Sequence, residues 1–189
     1  MPQSKILVDT NVYLRLAQSI HPLLKTPFGK QNYCLYNLPE MADEYHKNPR
    51  LQSSFPWFPN DEYSDNRNCH WSLKKKQHTE IEDAYDFILD SSYDLAPNIS
   101  RVDLKCLAYA LVLNIPVATD DAEMIKLADE FEINTITMVQ LLKLMLDNGH
   151  ITLENIRTIA GYLMQINDLP KNFKGDYKLT FFEELPDHD

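Results

Sequence analysis

The chain has 189 residues, of which 44% are hydrophobic, and this is enough for the packed core of one domain with an appendage. Its 18 basic and 28 acidic residues give a net charge of −10, which argues against a protein that coats nucleic acid but not against an enzyme with a local basic patch. Because the three cysteines are far apart and no apolar run approaches the roughly 18 residues of a membrane helix, we expect a cytoplasmic protein without a membrane contact.

The N-terminal part of the chain predicts two strands, each followed by a helix. The apolar run KILV (5–8) stops at an aspartate, which is typical of a buried parallel strand, and TNVYLRLAQ then predicts a helix. A second short strand is predicted over 33–39, where Pro39 is suited to begin the helix that EMADEYHKN continues.

Residues 48–78 differ from the segments on either side. They mix prolines, aromatic residues and charges, and they follow neither the helical nor the strand period. We therefore interpret them as an insertion or a flexible excursion. A helix is predicted after it, from about Thr79 to Ser91, and LAPNIS ends that helix.

The second half of the chain again alternates helices with strands. SRVDLKCLAYALVLN predicts an amphipathic helix, because its apolar residues recur at helical spacing. After it come a buried strand IPVAT (115–119), a helix DAEMIKLADEF, a strand INTITM, a helix VQLLKLMLDNGH with Gly149 as its C′ residue, a helix TLENIRTIAGYLMQIND, and an irregular or weakly extended tail after Pro170. This alternation predicts an α/β fold with a parallel sheet and helices on both faces. We place one domain over 1–150, with 151–189 as a C-terminal helix and tail packed on it or extending it.

Carboxylates follow two of these predicted strands, at the point where each strand ends. Asp9 comes directly after KILV, and Asp120 and Asp121 come almost directly after IPVAT. Ligands bind outside the carboxyl ends of parallel strands, so we expect these acids at one edge, together with acids from the adjoining helices, namely Asp103 and either Glu40 or Glu44. Such charges would repel one another in a cleft of low dielectric, and Mg²⁺ or Mn²⁺ would remove that repulsion.

Helix capping is the alternative explanation for these acids. Asp9 precedes a helix, Ser100 and Asp103 have the spacing of a capping box, and Asp120 and Glu123 have the equivalent spacing. Capping accounts for each acid taken singly. It does not account for their shared position after apolar strands with few basic residues beside them.

The chain resembles the PIN-domain ribonucleases in four segments. These are ILVDTNVYL (6–14), LPEMADEYHKNPRL (38–51), SRVDLKCLAYALVLNIPVATDD (100–121) and AEMIKLADEFEINTIT (122–137), and their order and spacing span about two-thirds of the chain. The resemblance implies a three-layer α/β/α sandwich with a central parallel twisted sheet, to which this chain adds a C-terminal helical extension. It also implies a Mg²⁺- or Mn²⁺-dependent endoribonuclease that hydrolyses RNA, often the toxin of a toxin–antitoxin pair.

The same resemblance assigns roles to individual acids. Asp9 matches the first acid of the family, in the D-T-N motif, and Asp103 matches the third. Asp121 matches the acid of the T-x-D motif that Thr119 begins. The metal ligands are then expected to be Asp9, Asp103, Asp120 and Asp121. The second acid is either Glu44, which we prefer, or Glu40, and the supporting polar residues are Asn11, Thr119 and Glu40.

Several further residues are candidates for contacts with the substrate or a partner. The basic residues proposed to bind phosphates are Arg15, Arg50, Arg101, Lys74, Lys75 and Lys76. Tyr13, Trp57 and Trp71 offer rings for base stacking, although packing is the favoured role for each. The partners expected are RNA, with DNA left open, an antitoxin and a second copy of the chain. For a homodimer or antitoxin contact, the candidate apolar faces are those of Leu141, Leu142 and Met145 and of Ile156, Ile159 and Leu163.

Two other hypotheses remain beside the nuclease. A non-catalytic PIN-like module would use its acids for metal-linked stability or for docking a partner, and the acidic net charge favours this alternative. A zinc site at Cys69, His70 and His78 is disfavoured, because their spacing does not suit a closed site of four ligands.

Overall fold

The computed structural model describes residues 2–68 and 71–186. Over this part of the chain it contains four strands and ten helices. In chain order they are β1 (Ser4–Val8), α1 (Thr10–Leu16), β2 (Tyr33–Tyr36), α2 (Met41–Lys47), α3 (Pro49–Ser54), α4 (Asp61–Arg67), α5 (Lys75–Leu95), α6 (Arg101–Leu113), β3 (Val117–Ala118), α7 (Ala122–Glu130), β4 (Thr135–Ile136), α8 (Met138–Asp147), α9 (Leu153–Gln165) and α10 (Phe173–Phe181).

The four strands form one parallel sheet in the order β2-β1-β3-β4. The prediction of a mixed α/β fold with a parallel sheet is therefore confirmed. The register pairs Leu7 with both Tyr36 and Val117, so that β1 lies in the middle of the sheet. Its carboxyl end is flanked by the ends of β2 and β3, which is where ligands bind in open parallel sheets.

Three of the strands are shorter than their apolar runs suggested. β3 and β4 have two residues each, and β2 ends at Tyr36 rather than at residue 39. Pro116 directly precedes β3 and has no N–H to donate, although its carbonyl accepts the N–H of Leu7 at 3.0 Å. β1 therefore pairs with β3 only through Leu7 and Val8, whereas it pairs with β2 from Ser4 to Leu7.

Successive side chains of β1 enter two separate hydrophobic cores. Ile6 and Val8 belong to one core, whereas Leu7 belongs to the other. The first core contains buried residues of α1, α8, α9 and α10, and the second contains those of α5, α6 and α7. Helices consequently pack against both faces of the sheet.

Residues 48–78 are helical over most of their described part, so a flexible excursion was wrong there, and their interpretation as an insertion stays a prediction. The segment contains α3, α4 and the start of α5, and Asn48 caps α3 with Pro49 at its first turn. Phe55, Trp57, Phe58 and Tyr63 of this segment are buried in the first core, where Phe58 stacks on Tyr45 with ring centroids 4.0 Å apart. Since α3 and α4 each bury a single side chain, neither shows a helical period.

The C-terminal segment also differs from its prediction. Residues 173–181 form α10, which buries Phe173 and Tyr177 against the first core, so the expected irregular tail was wrong there. Gly149 does occupy the residue after the C-cap of α8 in a left-handed conformation, with φ of 66°. The apolar faces proposed for a dimer or antitoxin contact are buried inside the chain itself, at Leu141, Leu142, Met145, Ile156, Ile159 and Leu163.

Membrane insertion finds no support in the helices. Within 2–68 and 71–186, none of them combines the length and the apolar composition that a membrane span requires.

The burial of Phe58 gives a test of the helical insertion. We expect Phe58→Ala to lower the free energy of unfolding by about 3–5 kcal/mol, because it empties a fully buried site. Phe87→Ala makes the same chemical change at a side chain that is 64% exposed, so we expect a loss below about 1 kcal/mol. Urea unfolding of both variants measures the difference, and equal losses would contradict the packing of the insertion into the core.

Candidate active site

Asp9 is buried where β1 meets α1. Its backbone N–H donates to the carbonyl of Ala118 at 3.1 Å, which ties it to β3. Its Oδ1 accepts the N–H of Val12 at 2.6 Å and so caps α1. Burial raises the pKa of Asp9 from 3.8 to about 6, although hydrogen bonds from Thr119 and Val12 and the charge of Arg15 oppose this effect.

Thr119 connects Asp9 to Asp121. The Thr119 side chain is fully buried and is hydrogen-bonded to the Asp9 carboxylate. Its hydroxyl oxygen also accepts the backbone N–H of Asp121 at 3.1 Å. Asp121 in turn caps α7 by accepting the N–H of Met124 at 2.8 Å. Thr119 therefore fixes the positions of two acids, as expected of a supporting polar residue.

Asp103 interacts electrostatically with acids from three other segments of the chain. It lies in the first turn of α6, which Ser100 caps by accepting the Asp103 N–H at 3.1 Å. The pKa of Asp103 rises from 3.8 to about 7, chiefly through burial and then through repulsion from Asp9, Glu44 and Asp121. We refer to Asp9, Glu44, Asp103 and Asp121 as the four-acid group.

The structure distinguishes Glu44 from Glu40. Glu44 accepts a hydrogen bond from the hydroxyl of Thr10, the residue next to Asp9, and it raises the pKa of Asp103. Glu40 lies one turn earlier and forms an ion pair with Lys105 of α6. Glu44 is therefore the acid that α2 places beside Asp9 and Asp103.

Asp120 turns to a different side of the sheet edge from Glu44. Its Oδ1 accepts the N–H of Met138 at the start of α8, at 3.2 Å. Its Oδ2 is buried without a hydrogen-bond partner among the described residues, and burial raises the pKa of Asp120. Asp120 also raises the pKa of Asp9, so it is an electrostatic neighbour of the four-acid group.

Two clefts border the four-acid group. The wide cleft, of about 690 Å³, is lined by Glu44 and by basic and aromatic residues of α2, α5 and α6, namely Lys47, Tyr85, Arg101 and Lys105. The narrow cleft, of about 200 Å³, is lined by Asp120 and Asp121 together with Asn11, Arg15, Arg50 and residues 167–171. Glu40 and Asp43 also line the wide cleft, so both clefts carry acidic as well as basic side chains beside the four-acid group.

Not every residue proposed for substrate contacts lies near these clefts. Arg15, Arg50 and Arg101 line a cleft, whereas Lys74, Lys75 and Lys76 line neither and lie at the start of α5. The rings of Tyr13 and Trp57 are buried in the first core, so packing, the role favoured for both, is confirmed and base stacking is excluded for them. Trp71 is partly buried, with its ring centroid 5.0 Å from that of Tyr36. Cys69 and His70 of the disfavoured zinc hypothesis lie outside the described residues.

Sequence reasoning missed several residues of the clefts. Lys47 lies three positions after Glu44, and Lys105 lies four positions after Arg101, so helical spacing already put each pair on one face. Thr10 lies inside the D-T-N motif, but its hydrogen bond to Glu44 was not predicted. No sequence signal pointed to Asp168 or Lys171, which follow α9 and reach the narrow cleft through the fold.

The fit of a divalent cation depends on the chemistry of these donors. Among the described residues, no group of three or more His, Cys, Asp or Glu side chains could hold a metal ion as they stand. The Oδ1 atoms of Asp9, Asp120 and Asp121 each accept a backbone N–H, and Glu44 accepts from Thr10. Each of these contacts uses one oxygen of the carboxylate. The donor set is all carboxylate and suits Mg²⁺ or Mn²⁺, but side chains must rotate for several acids to share one ion.

Comparison of the chain with models of protein families, with curated proteins and with solved structures finds no match. A fold alone does not determine a function, so the function has to follow from the site's own residues.

The raised pKa of Asp103 predicts a pH-dependent stability in metal-free solution. The folded protein retains a proton that the unfolded chain releases above its pKa of about 4, so stability falls as pH rises from about 4 to about 7. Asp103→Asn removes the charge, and we expect it to reduce this fall by on the order of 2 kcal/mol. Urea unfolding in EDTA at pH 5 and pH 8 measures the change.

The matched control is Asp147→Asn, at an exposed aspartate that ends α8 and pairs with Lys143. It removes the same charge outside the four-acid group. An equal effect of the two substitutions would show that net charge, and not the local repulsion at Asp103, causes the fall.

Proposed function

We propose that the chain is a metal-dependent endoribonuclease with a PIN-like, three-layer fold. The observation that carries this proposal is the four-acid group, in which burial, and then repulsion from Asp9, Glu44 and Asp121, raises the pKa of Asp103. Gathering like charges in a partly buried site lowers the stability of the fold. Helix capping does not explain the presence of all four acids, because Glu44 caps no helix. Perturbed carboxylates of this kind are typical of functional sites.

The residues suited to hold Mg²⁺ or Mn²⁺ are Asp9, Asp103 and Asp121, with Asp120 beside them. A bound cation would supply a Lewis acid that polarises the phosphoryl group and stabilises the charge on the leaving oxygen. Thr119 holds Asp9 and Asp121 in place through its two hydrogen bonds. Glu44, oriented by Thr10, is the acid placed to orient the attacking water and to accept its proton.

The wide cleft is the proposed path for the RNA. It begins at Glu44 and offers Lys47 and Arg101 as exposed cations, while Tyr85 is partly buried in its wall. These two cations bind the phosphates that flank the cleaved bond, and they do so beside Glu40 and Asp43, which also line the cleft. Phosphate contacts of this kind do not by themselves separate RNA from DNA, so both are substrates in the test below.

A non-catalytic binding module is the second candidate function. It is favoured by the finding that no three metal-binding side chains are ready to share an ion among the described residues. In that case the acids would stabilise helices and dock a partner rather than promote hydrolysis. An antitoxin partner, a homodimer and a toxin role belong to the proposal of a PIN-like ribonuclease and rest on the resemblance in sequence alone.

The central test is the double substitution Asp9→Asn/Asp121→Asn. Asparagine keeps a side-chain oxygen that can cap a helix, so α1 and α7 remain capped while both charges are removed. We expect calorimetric Mn²⁺ binding to disappear and the cleavage rate of single-stranded RNA to fall by about 100-fold or more, since each 1.36 kcal/mol of lost transition-state stabilisation is tenfold. Single-stranded DNA is assayed in parallel.

The control is Asp61→Asn/Asp147→Asn, which removes two charges from exposed positions in α4 and α8. It should bind Mn²⁺ and cleave RNA as the unsubstituted protein does. Mn²⁺ binding without cleavage of either nucleic acid would support the non-catalytic module, and absence of Mn²⁺ binding would refute the metal-dependent nuclease.

A second prediction concerns the two glutamates of α2. Glu44→Gln should lower the RNA cleavage rate more than Glu40→Gln by about 10-fold or more, because Glu44 accepts from Thr10 and repels Asp103, whereas Glu40 pairs with Lys105. Single-turnover cleavage at saturating Mn²⁺ measures the difference. A larger loss from Glu40→Gln would mean that Glu40 is the second acid of the site.

A further inference from the structure

One carboxylate joins two arginines at the rim of the narrow cleft. Asp168 Oδ2 accepts from Arg15 Nε at 2.9 Å, and its Oδ1 accepts from Arg50 Nη2 at 3.0 Å. Arg15 Nε also donates to the backbone carbonyl of Asp168 at 3.2 Å. The three residues come from the end of α1, from α3 and from the segment after α9, so only the folded chain brings them together.

The two arginines differ in their exposure to solvent. The side chains of Arg15 and Asp168 are 12% and 10% exposed, whereas that of Arg50 is 75% exposed. A guanidinium as buried as that of Arg15 needs an anion, because an unpaired charge away from water is costly. The contact from Arg50 is weaker, since an ion pair in solvent contributes little. Asp168 can therefore be displaced, but only by another anion.

The position of the arginines identifies that anion. Their cleft is also lined by Asp120 and Asp121, and Arg15 lowers the pKa of both Asp9 and Asp120. Two guanidinium groups that converge on one carboxylate also match the oxygens of a phosphate. A phosphate bound there would lie beside the acids at the sheet edge.

The charges that line the narrow cleft show why Asp168 weakens the binding of a phosphate there. Three cations, Arg15, Arg50 and Lys171, face three anions, Asp120, Asp121 and Asp168. With Asp168 in place the lining has no net charge. When Asp168 withdraws, the lining that remains carries one positive charge in excess.

We propose that Arg15 and Arg50 form a phosphate-binding subsite and that Asp168 occupies it as an internal competitor. The identity of the ligand as an RNA backbone phosphate rests on the proposed function, whereas the subsite itself does not. RNA binding then requires Asp168, with the 167–171 segment that carries it, to release the two arginines. The protein is inhibited by its own carboxylate until a phosphate replaces it.

The test is Asp168→Asn in the full chain, with EDTA present so that binding is measured without cleavage. Anisotropy of a fluorescein-labelled single-stranded RNA should show binding about 3- to 5-fold tighter than in the unsubstituted protein, the scale of one released ion pair. The slope of log K against log salt should steepen by about 0.7, the value for one added phosphate contact on a single strand. Asp147→Asn is the control, since it removes the same charge at the C-terminal end of α8. The N-terminal end of that helix, at Met138, is the end that contacts Asp120 in the narrow cleft.

A second variant separates competition from simple loosening of the fold. Arg50→Gln changes an exposed side chain, so urea unfolding should show little loss of stability. Added to Asp168→Asn, it should abolish the gain in RNA affinity. Tighter binding that persists in the double variant, or that Asp147→Asn reproduces, would overturn the proposal.

Inorganic pyrophosphate distinguishes failure of this proposal from failure of the nuclease proposal. It should bind Asp168→Asn more tightly than the unsubstituted protein, as measured by calorimetry, and the gain should vanish with Arg50→Gln. Tighter pyrophosphate binding without RNA binding would retain the subsite and reject the nucleic acid as its ligand. No gain for either probe would refute the subsite.

Discussion

The buried carboxylate of Asp9 is the constraint on which the rest of the site depends. It ends the central strand, caps the helix that follows and is tied through its own N–H to β3. Because β1 and β3 are parallel neighbours, the turn after β3 delivers Thr119 and Asp121 to the same edge. The placement of the acids is therefore a consequence of strand order, and any disruption of the β1–β3 pairing would separate them.

Polar contacts from the surrounding chain hold the like charges together. Thr10 donates to Glu44, Thr119 is hydrogen-bonded to Asp9, and Arg15 lowers the pKa of Asp9 and of Asp120. Helix capping and a chemical role are thus compatible, since a cap occupies one oxygen of a carboxylate and leaves the other. At Asp103, burial and then repulsion from the other three acids raise the pKa to about 7.

The parts of the fold that follow local rules were predictable from the sequence. Apolar runs that stop at an acid indicated β1 and β3, and helical spacing indicated α6. The length of β3, which is only two residues, depends on pairing across the sheet, and no single segment reveals that pairing. The helices α3 and α4 escaped prediction because each buries a single side chain, Leu51 or Tyr63, and one apolar contact shows no helical period. Of the site, the acids were predictable from their place after strands, whereas Asp168 was not, because it meets Arg15 across 153 positions of the chain.

The separation of 153 positions between Arg15 and Asp168 also determines the order in which the two residues are translated. A growing polypeptide presents Arg15 to the solvent at its beginning and acquires Asp168 only after α9 has been translated. The ion pair between Arg15 and Asp168 therefore cannot form until the segment after α9 has been made, when the domain can fold as a unit. A nascent chain that already has its acids therefore still lacks the residue that neutralises the neighbouring guanidinium, and Arg15 is exposed to other anions during that interval.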